Sequence, residues 1–433
     1  MNDEDAGQDM MDEALGALRP IPDMGVIYVV AEAMKLGFYN GNPEWSNLGQ
    51  GQPEVGPMEG APERVSTISL DPGDHAYGPI GGTTAARQAV ADHYNRLYRQ
   101  GKRSQYTADN VSVAAGGRLV LSRVFAALGE GRLGYQIPDY TAYEDMIVYH
   151  MHRLTPVLLE TFPEHGFALS PQALWTAVTA QALDAYVLSN PCNPTGRVVA
   201  GDDLAEYVRI AREKRCTLIL DEFYSHFIYT PEGQPGSGPV SAAACVEDVD
   251  RDPVLLIDGL TKSFRYPGWR VGWAVGPKAM IETLGRAASA IDGGPPQPTQ
   301  RALLDVLEPG RADQETTALR EVFARKRNLT LGALKEMGCT FANEAEGTFY
   351  LWANIEGLPA PLNDGDRFFR EALRRKVMTV PGHFFDVNPA KQRAGQPRYA
   401  KWLRFSFGPP EDNVRQGLER LSKLVADARS GSL

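Results

Sequence analysis

Cysteine is scarce. The chain of 433 residues carries four, Cys192, Cys216, Cys245 and Cys339, and no two of them form a C-x-x-C pair. That spacing excludes a disulfide framework and a cysteine-based zinc site, and fits free thiols in a reducing compartment. Long apolar runs are missing as well. No stretch approaches the roughly 20 residues that cross a bilayer, so no membrane partner is expected. Basic charge is in deficit: 44 Lys and Arg stand against 54 Asp and Glu, a net charge of -10. That balance disfavours polyanions, so no nucleic-acid partner is expected, although a local basic pocket remains open. Residues 1–16 are acidic and lack a basic n-region followed by an apolar h-region. A signal peptide is therefore not expected, and a cytoplasmic location is.

The composition is that of a soluble globular protein, with 43% hydrophobic and 23% charged residues. The length exceeds what one hydrophobic core supports, so two subdomains are expected. Residues 27–36 suit a short amphipathic helix. Near-continuous apolar strands at 111–115, 133–137, 185–189, 216–220, 253–257 and 271–275 alternate with helical segments such as 84–99 and 201–214. This order predicts an α/β fold with a mostly parallel sheet covered on both faces. The C-terminal part reads as α+β. It begins with one long helix over 300–337 and a strand at 347–352 with one exposed face. A helix over 364–376, strands at 377–382 and 402–408 and a last helix over 413–428 follow.

The strand Pro253-Val254-Leu255-Leu256-Ile257 opens into a small polar loop that carries Lys262, and Arg270 follows eight residues later. A lysine at the mouth of a strand can be an amine nucleophile that forms a Schiff base with an aldehyde. An arginine nearby suits a phosphate, which it grips with two parallel hydrogen bonds. The pair points to pyridoxal phosphate. Taken alone it is a weak signal, because most strand-end lysines are simply solvated. The remaining loops strengthen it. Gly116, Tyr140, Asn193, Asp221 and Lys262 all fall at or just past the C-terminal ends of predicted strands, where open α/β sheets bind ligands. Each alone reads as packing or a turn, but five in register do not.

Their chemistry is complementary. Asp221, after Leu-Ile-Leu, would be costly to bury unpaired, and a pyridinium nitrogen is a suitable partner. Asn193 and Tyr224 can hydrogen-bond a ring oxygen, and Tyr140 can stack on the ring face. The backbone amides of Gly117 and Arg118, with the Arg270 guanidinium, can hold the phosphate. Arg404, inside a short apolar strand, reads either as half of an internal ion pair or as a fork for a substrate carboxylate.

From about Asn47 to Gly408 the chain resembles the class I/II aminotransferases, the fold-type I pyridoxal phosphate enzymes. Asn190-Pro191-Cys192-Asn193-Pro194-Thr195-Gly196 resembles the family's N-P-x-N-P-T-G. Asp221 to Tyr224 resembles its D-x-x-Y, and Lys262 to Arg270 its K-x7-R. The resemblance implies a large domain with a mostly parallel seven-stranded sheet plus a smaller α+β domain. Its limits would be a flexible acidic start over 1–20, a segment over 21–54 packed on the small domain, a large cofactor-binding domain over 55–305 and a small domain over 306–433. It implies Lys262 as the Schiff-base lysine and proton carrier, Asp221 on the pyridine nitrogen, and Asn193 and Tyr224 on the phenolate oxygen. It implies Tyr140 on the ring, Gly117, Arg118 and Arg270 at the phosphate, and Arg404 on the substrate carboxylate with Gly51 beside it. Tyr77 would reach the phosphate of a neighbouring subunit, which implies a homodimer with shared active sites. The implied activity is amino-group transfer between an α-amino acid and a 2-keto acid.

The family usually has S-x-S-K where this chain has Gly259-Leu260-Thr261-Lys262. The phosphate-binding serine is absent, and Thr261 is the candidate replacement donor. Arg118 stands where a small or amide residue is usual, and it either adds a phosphate contact or faces solvent. Residues 383–400 hold Phe384, Phe385, Lys391, Arg393 and Arg398 and read as a contribution to a non-standard substrate pocket. His226 and His383 are placed near the cleft, although lone histidines are more often structural. These departures keep a second reading open, an elimination, replacement or cyclisation enzyme on the same cofactor. A pyridoxal phosphate-sensing regulator is disfavoured, because the N-terminal extension is too short and too acidic for a DNA-binding domain.

Overall fold

Seven strands build the central sheet: β1 (Val111–Ala114), β2 (Gly131–Ile137), β3 (Leu154–Glu160), β4 (Ala185–Ser189), β5 (Thr217–Asp221), β6 (Val254–Gly259) and β7 (Gly272–Val275). The structure is a computed structural model that describes residues 17, 18, 21 and 23–433. The expected acidic start over 1–20 therefore lies outside the described residues, apart from 17 and 18. The spatial order is β1-β7-β6-β5-β4-β2-β3. β7 runs antiparallel to both neighbours, and every other pair is parallel.

All residues of β4 and β6 are buried, as their apolar runs over 185–188 and 254–257 require of strands covered on both faces. Alternation divides them between two cores. Val187, Ile219 and Ile257 enter one, while Leu188, Leu220 and Leu256 enter the other. The sequence reading had not picked out β3. It is an edge strand whose Thr155 and Pro156 break the apolar pattern, and an edge is where a sheet tolerates proline.

The C-terminal part differs from expectation in two places. The single helix over 300–337 is two, Gln297–Val306 and Pro309–Met337. Pro309 cannot continue a helix but starts one well, and the Glu308 carboxylate accepts the amides of Gly310 and Arg311. The strand expected at 347–352 is β8 (Tyr350–Asn354), with residues 350–353 buried and no exposed face. Leu351 and Ala353 pack into the core shared with the long helix, and Trp352 turns the other way into an aromatic cluster with Phe385 and Trp402. β9 (Val380–Pro381) and β10 (Trp402–Ser406) complete this sheet, with β10 in the middle. The helix Val26–Lys35 buries Val29 and Ala33 in the same aromatic cluster. Among the described residues no helix is long and apolar enough to cross a membrane.

Candidate active site

The C-terminal ends of β1, β2, β4, β5 and β6 open into a cavity of about 860 Å³. Residues 24–52 and the strands β8 and β10 close its other side. Of the residues singled out from sequence, Gly51, Gly117, Arg118, Tyr140, Asn193, Asp221, Tyr224, Thr261, Lys262, Arg270 and Arg404 all line it. Tyr77 does not: it lies at the surface, fully exposed.

Lys262 reaches into this cavity and donates from Nζ to the Gly51 carbonyl. Burial pushes its pKa down to about 7, and the cationic Arg404 and Arg270 act in the same direction against the pull of Asp221. Asp221 ends β5 fully inside. Burial raises its carboxyl to about 6, opposed by the Tyr143 hydroxyl, which donates to Oδ2 at 3.1 Å.

At one end of the cavity four glycines bring backbones together. Gly116, with φ +95°, sits under Arg270, so a Cβ there would lie 2.3 Å from the guanidinium. A Cβ at Gly272 would lie 2.8 Å from the Gly117 amide nitrogen, and one at Gly259 would lie 2.4 Å from the Val271 carbonyl oxygen. Position 259 is where the related pattern carries serine, and in this packing no side chain fits there. Gly259→Ser is expected to cost about 1–3 kcal/mol, the usual penalty for overpacking. A thermal unfolding midpoint equal to that of the parent chain would refute this. Thr261 lies two residues on with a buried Oγ1 that has no partner. Next to it the helix Gly117–Ala127 starts, where the first amides lack intrahelical acceptors.

Arg404, on β10, is 2% exposed. It donates to Asn193 Oδ1 at 2.9 Å and to the Gly49 carbonyl at 3.0 Å. Among the described residues no carboxylate pairs with it, which removes the internal ion pair from the two sequence readings. Its Nε has no partner. The guanidinium lies 4.0 Å over the Tyr350 ring and 5.1 Å from the Phe385 ring. Tyr350 in turn shares a 3.0 Å hydrogen bond with Tyr224.

Sequence reading missed Tyr143, Asp139 and Tyr350. Asp139 is 1% exposed and ties the loop after β2 to the loop after β4. It accepts Ser189 Oγ at 2.5 Å and the Tyr140 amide at 2.7 Å, and Ser189 Oγ accepts the Asn193 amide at 3.0 Å. Burial raises its carboxyl to about 7. The only linear signal was Asp139 and Tyr143 standing beside Tyr140; nothing linear marks Tyr350.

Arg118 is exposed to solvent and at the same time borders the cavity, where its Nε donates to the Tyr140 hydroxyl at 3.2 Å. Residues 383–400 contribute Phe385 to the cavity wall, but their cations are engaged elsewhere. Lys391 pairs with Glu144, Arg393 with Asp386, and Arg398 with Glu160. Each has a carboxylate to neutralise it outside the cavity, so this stretch fastens the two parts of the chain together and adds no charged pocket. His226 and His383 do not line the cavity. His226 stacks on His93 at 5.9 Å and hydrogen-bonds Thr316 at 2.8 Å, and His383 packs on Phe384 at 4.1 Å.

Comparison with known proteins agrees with this geometry. The sequence pattern of the family described as aminotransferase class I and II matches residues 43–421. The chain is 27% identical over 384 residues to an aspartate aminotransferase of Sulfurisphaera tokodaii, covering 88% of this chain and 89% of the relative. It is 28% identical over 387 residues to an aspartate/prephenate aminotransferase of Thermus thermophilus, covering 88% and 91%. Among solved structures, a double mutant of Thermus thermophilus aspartate aminotransferase superposes with a TM-score of 0.75 at 25% identity, over 95% of this chain and 98% of that one. These names do not favour the elimination or cyclisation reading. The chain belongs to the class I and II aminotransferase family, whose members transfer an amino group between an α-amino acid and a 2-keto acid.

Proposed function

We propose that the enzyme works with pyridoxal phosphate bound at Lys262, and that its preferred amino donor carries a side-chain carboxylate. One observation carries this reading. A desolvated amine of low proton affinity shares a cavity with a buried arginine that has no carboxylate of its own and with a further cation, Arg118, left for a second carboxylate.

The residues present fit the cofactor. The unpartnered Thr261 hydroxyl, the glycine-lined backbone cradle and Arg270 suit its phosphate, and the buried Asp221 suits a protonated ring nitrogen. When bound, pyridoxal phosphate supplies an electron sink for a carbanion formed at the substrate Cα. The chain supplies the rest. Arg404 orients the α-carboxylate, with its Asn193 hydrogen bond fixing the plane of the fork. Lys262 Nζ, uncharged above about pH 7, takes the Cα proton and returns it as general acid. Tyr140 and Phe385 form apolar walls that limit water.

Once these roles are assigned, Arg118 is the remaining cation of the wall, and the relatives' names include aspartate. In a panel of donors, aspartate and glutamate are expected to exceed alanine in kcat/KM by about tenfold or more, the worth of a charge-assisted hydrogen bond. Arg118→Gln should remove most of that difference. Equal values across the panel would overturn the donor class. A protein that never shows the absorbance of a lysine-bound cofactor would overturn the cofactor itself. The proposed assembly is a homodimer, a reading supported by the full exposure of Tyr77, an aromatic side chain unused by its own cavity.

A further inference from the structure

Residues 49–56 run beside the cavity as neither helix nor strand, and two of their carbonyls face the reacting groups. Gly49 accepts Arg404 Nη2 at 3.0 Å, and Gly51 accepts Lys262 Nζ. Backbone outside helices and sheets takes a fixed place from the partners of its polar groups. Here those partners converge on Glu54. Its amide donates to the Gly408 carbonyl at 2.8 Å, its carbonyl accepts Arg265 Nη1 at 3.2 Å, and its carboxylate accepts Lys326 Nζ at 2.9 Å. Lys326 Nζ also reaches the Gly408 carbonyl at 3.3 Å. Both cations are fully buried, at 0% exposure, and none of Glu54, Arg265 and Lys326 lines the cavity. Arg265 has Glu315 to neutralise it, whereas among the described residues Lys326 has no ion-pair partner but Glu54. Three elements are joined in this way. Arg265 lies in the loop after β6, Gly408 just past β10, and Lys326 within the helix Pro309–Met337. A Cβ at Gly408 would lie 2.5 Å from the Gln52 carbonyl oxygen, so the segment is pressed onto the end of β10.

We infer that Glu54 is a positioning residue for amino-group transfer: seated by Lys326 and Arg265, it fixes the Gly49 carbonyl that aims the Arg404 guanidinium at substrate. The role rests on the reading that Arg404 binds the substrate α-carboxylate. Arg404 is aimed by two acceptors, Asn193 Oδ1 and the Gly49 carbonyl. The first belongs to the loop after β4, and the second stands five residues before Glu54. Desolvation offsets most of the attraction in a buried ion pair, but either charge left alone there is strongly unfavourable. The pair therefore contributes one geometry more than it contributes net stability. With Glu54 released, the guanidinium can swing about its Asn193 contact, and a misplacement of about 1 Å is enough to cost as much as 10²-fold.

The test compares binding with turnover in the whole enzyme. Maleate, a dicarboxylate without an amine, reports on Arg404 apart from the chemistry. Glu54→Gln keeps the shape and removes the charge held by Lys326. It is expected to weaken maleate binding in a calorimetric titration by about tenfold, the worth of a hydrogen bond to a charged group. KM for amino acids should rise by a similar factor with kcat within about twofold, the sign of lost binding and intact chemistry. Turnover of an amine with no carboxylate should not change. Lys326→Met should have the same effect, and the double variant should be no worse than either single one, because both act through one contact. A merely structural fastening would lower the unfolding temperature and leave the maleate affinity of the folded enzyme equal to that of the parent. That result overturns the positioning role, and so do additive losses in the double variant. If Glu54→Gln does not fold, Glu54→Asp decides: it keeps the charge and shortens the reach, and parental maleate affinity there also overturns the role. Arg404→Lys separates the two readings. If it binds maleate as tightly as the parent, the carboxylate site at Arg404 is wrong and the role of Glu54 falls with it. If it loses maleate while Glu54→Gln keeps it, only the role of Glu54 fails.

Discussion

Lys262→Ala is expected to lose the absorbance of the lysine-bound cofactor and to lower turnover by at least about 10²–10⁴-fold, the span that a positioned general base contributes. The physical basis is the unusual state of this amine. Burial and two neighbouring guanidinium groups remove the advantage of the charged form and bring its pKa down to about 7. The sign gives a second measurement. Only the neutral amine attacks an aldehyde, so capture of added cofactor by the cofactor-free protein should accelerate as pH rises through about 7. An ordinary lysine would show its midpoint above pH 10. A capture profile still climbing steeply at pH 9 would show that the cavity does not desolvate Lys262. Unchanged turnover in Lys262→Ala would remove it from the reaction altogether.

Arg404→Lys is expected to lower kcat/KM for amino acids by about 10²–10³-fold. Truncating one side of a buried, hydrogen-bonded charge contact costs roughly 2–5 kcal/mol, and lysine cannot reproduce the planar two-point grip. The charge is kept, so the loss reports geometry. The substitution also leaves Asn193 Oδ1 and the Gly49 carbonyl without their donor. A control separates carboxylate binding from packing. With an amine that has no carboxylate, the slow half-reaction should be unaffected by Arg404→Lys. A fall shared by both substrates would mean that Arg404 acts through its stacking on Tyr350 and Phe385.

Much of the site was visible in linear form because an open parallel sheet places successive loops at one edge. Asn193, Asp221 and Lys262 could be aligned from strand ends alone, and the structure gathers them into one cavity. What stayed hidden came from neighbours with no fixed spacing. Tyr143 reaches Asp221 across 78 positions, and Arg404 reaches Asn193 across 211. The charges of Lys391, Arg393 and Arg398 looked like a substrate pocket because sequence does not reveal their partners: Glu144 and Glu160 on other elements for Lys391 and Arg398, and Asp386 within the same stretch for Arg393. The helix over 300–337 was drawn through Leu307 because its apolar spacing continues past the break, and the capping role of Glu308 shows only in three dimensions.

The sequence by itself determined the α/β order of elements, the family, and the residue types at the strand ends. Hydrophobic run length and loop chemistry are local properties, so the linear chain carries both in full. The tertiary structure decided which of these residues have partners. It shows Arg404 buried without a carboxylate, Thr261 with a free hydroxyl, and Gly259 pressed against the Val271 carbonyl where the usual serine would not fit. Satisfaction of a charge, a hydrogen bond or a volume is a relation between atoms that the chain brings together only on folding, so no linear pattern can state it.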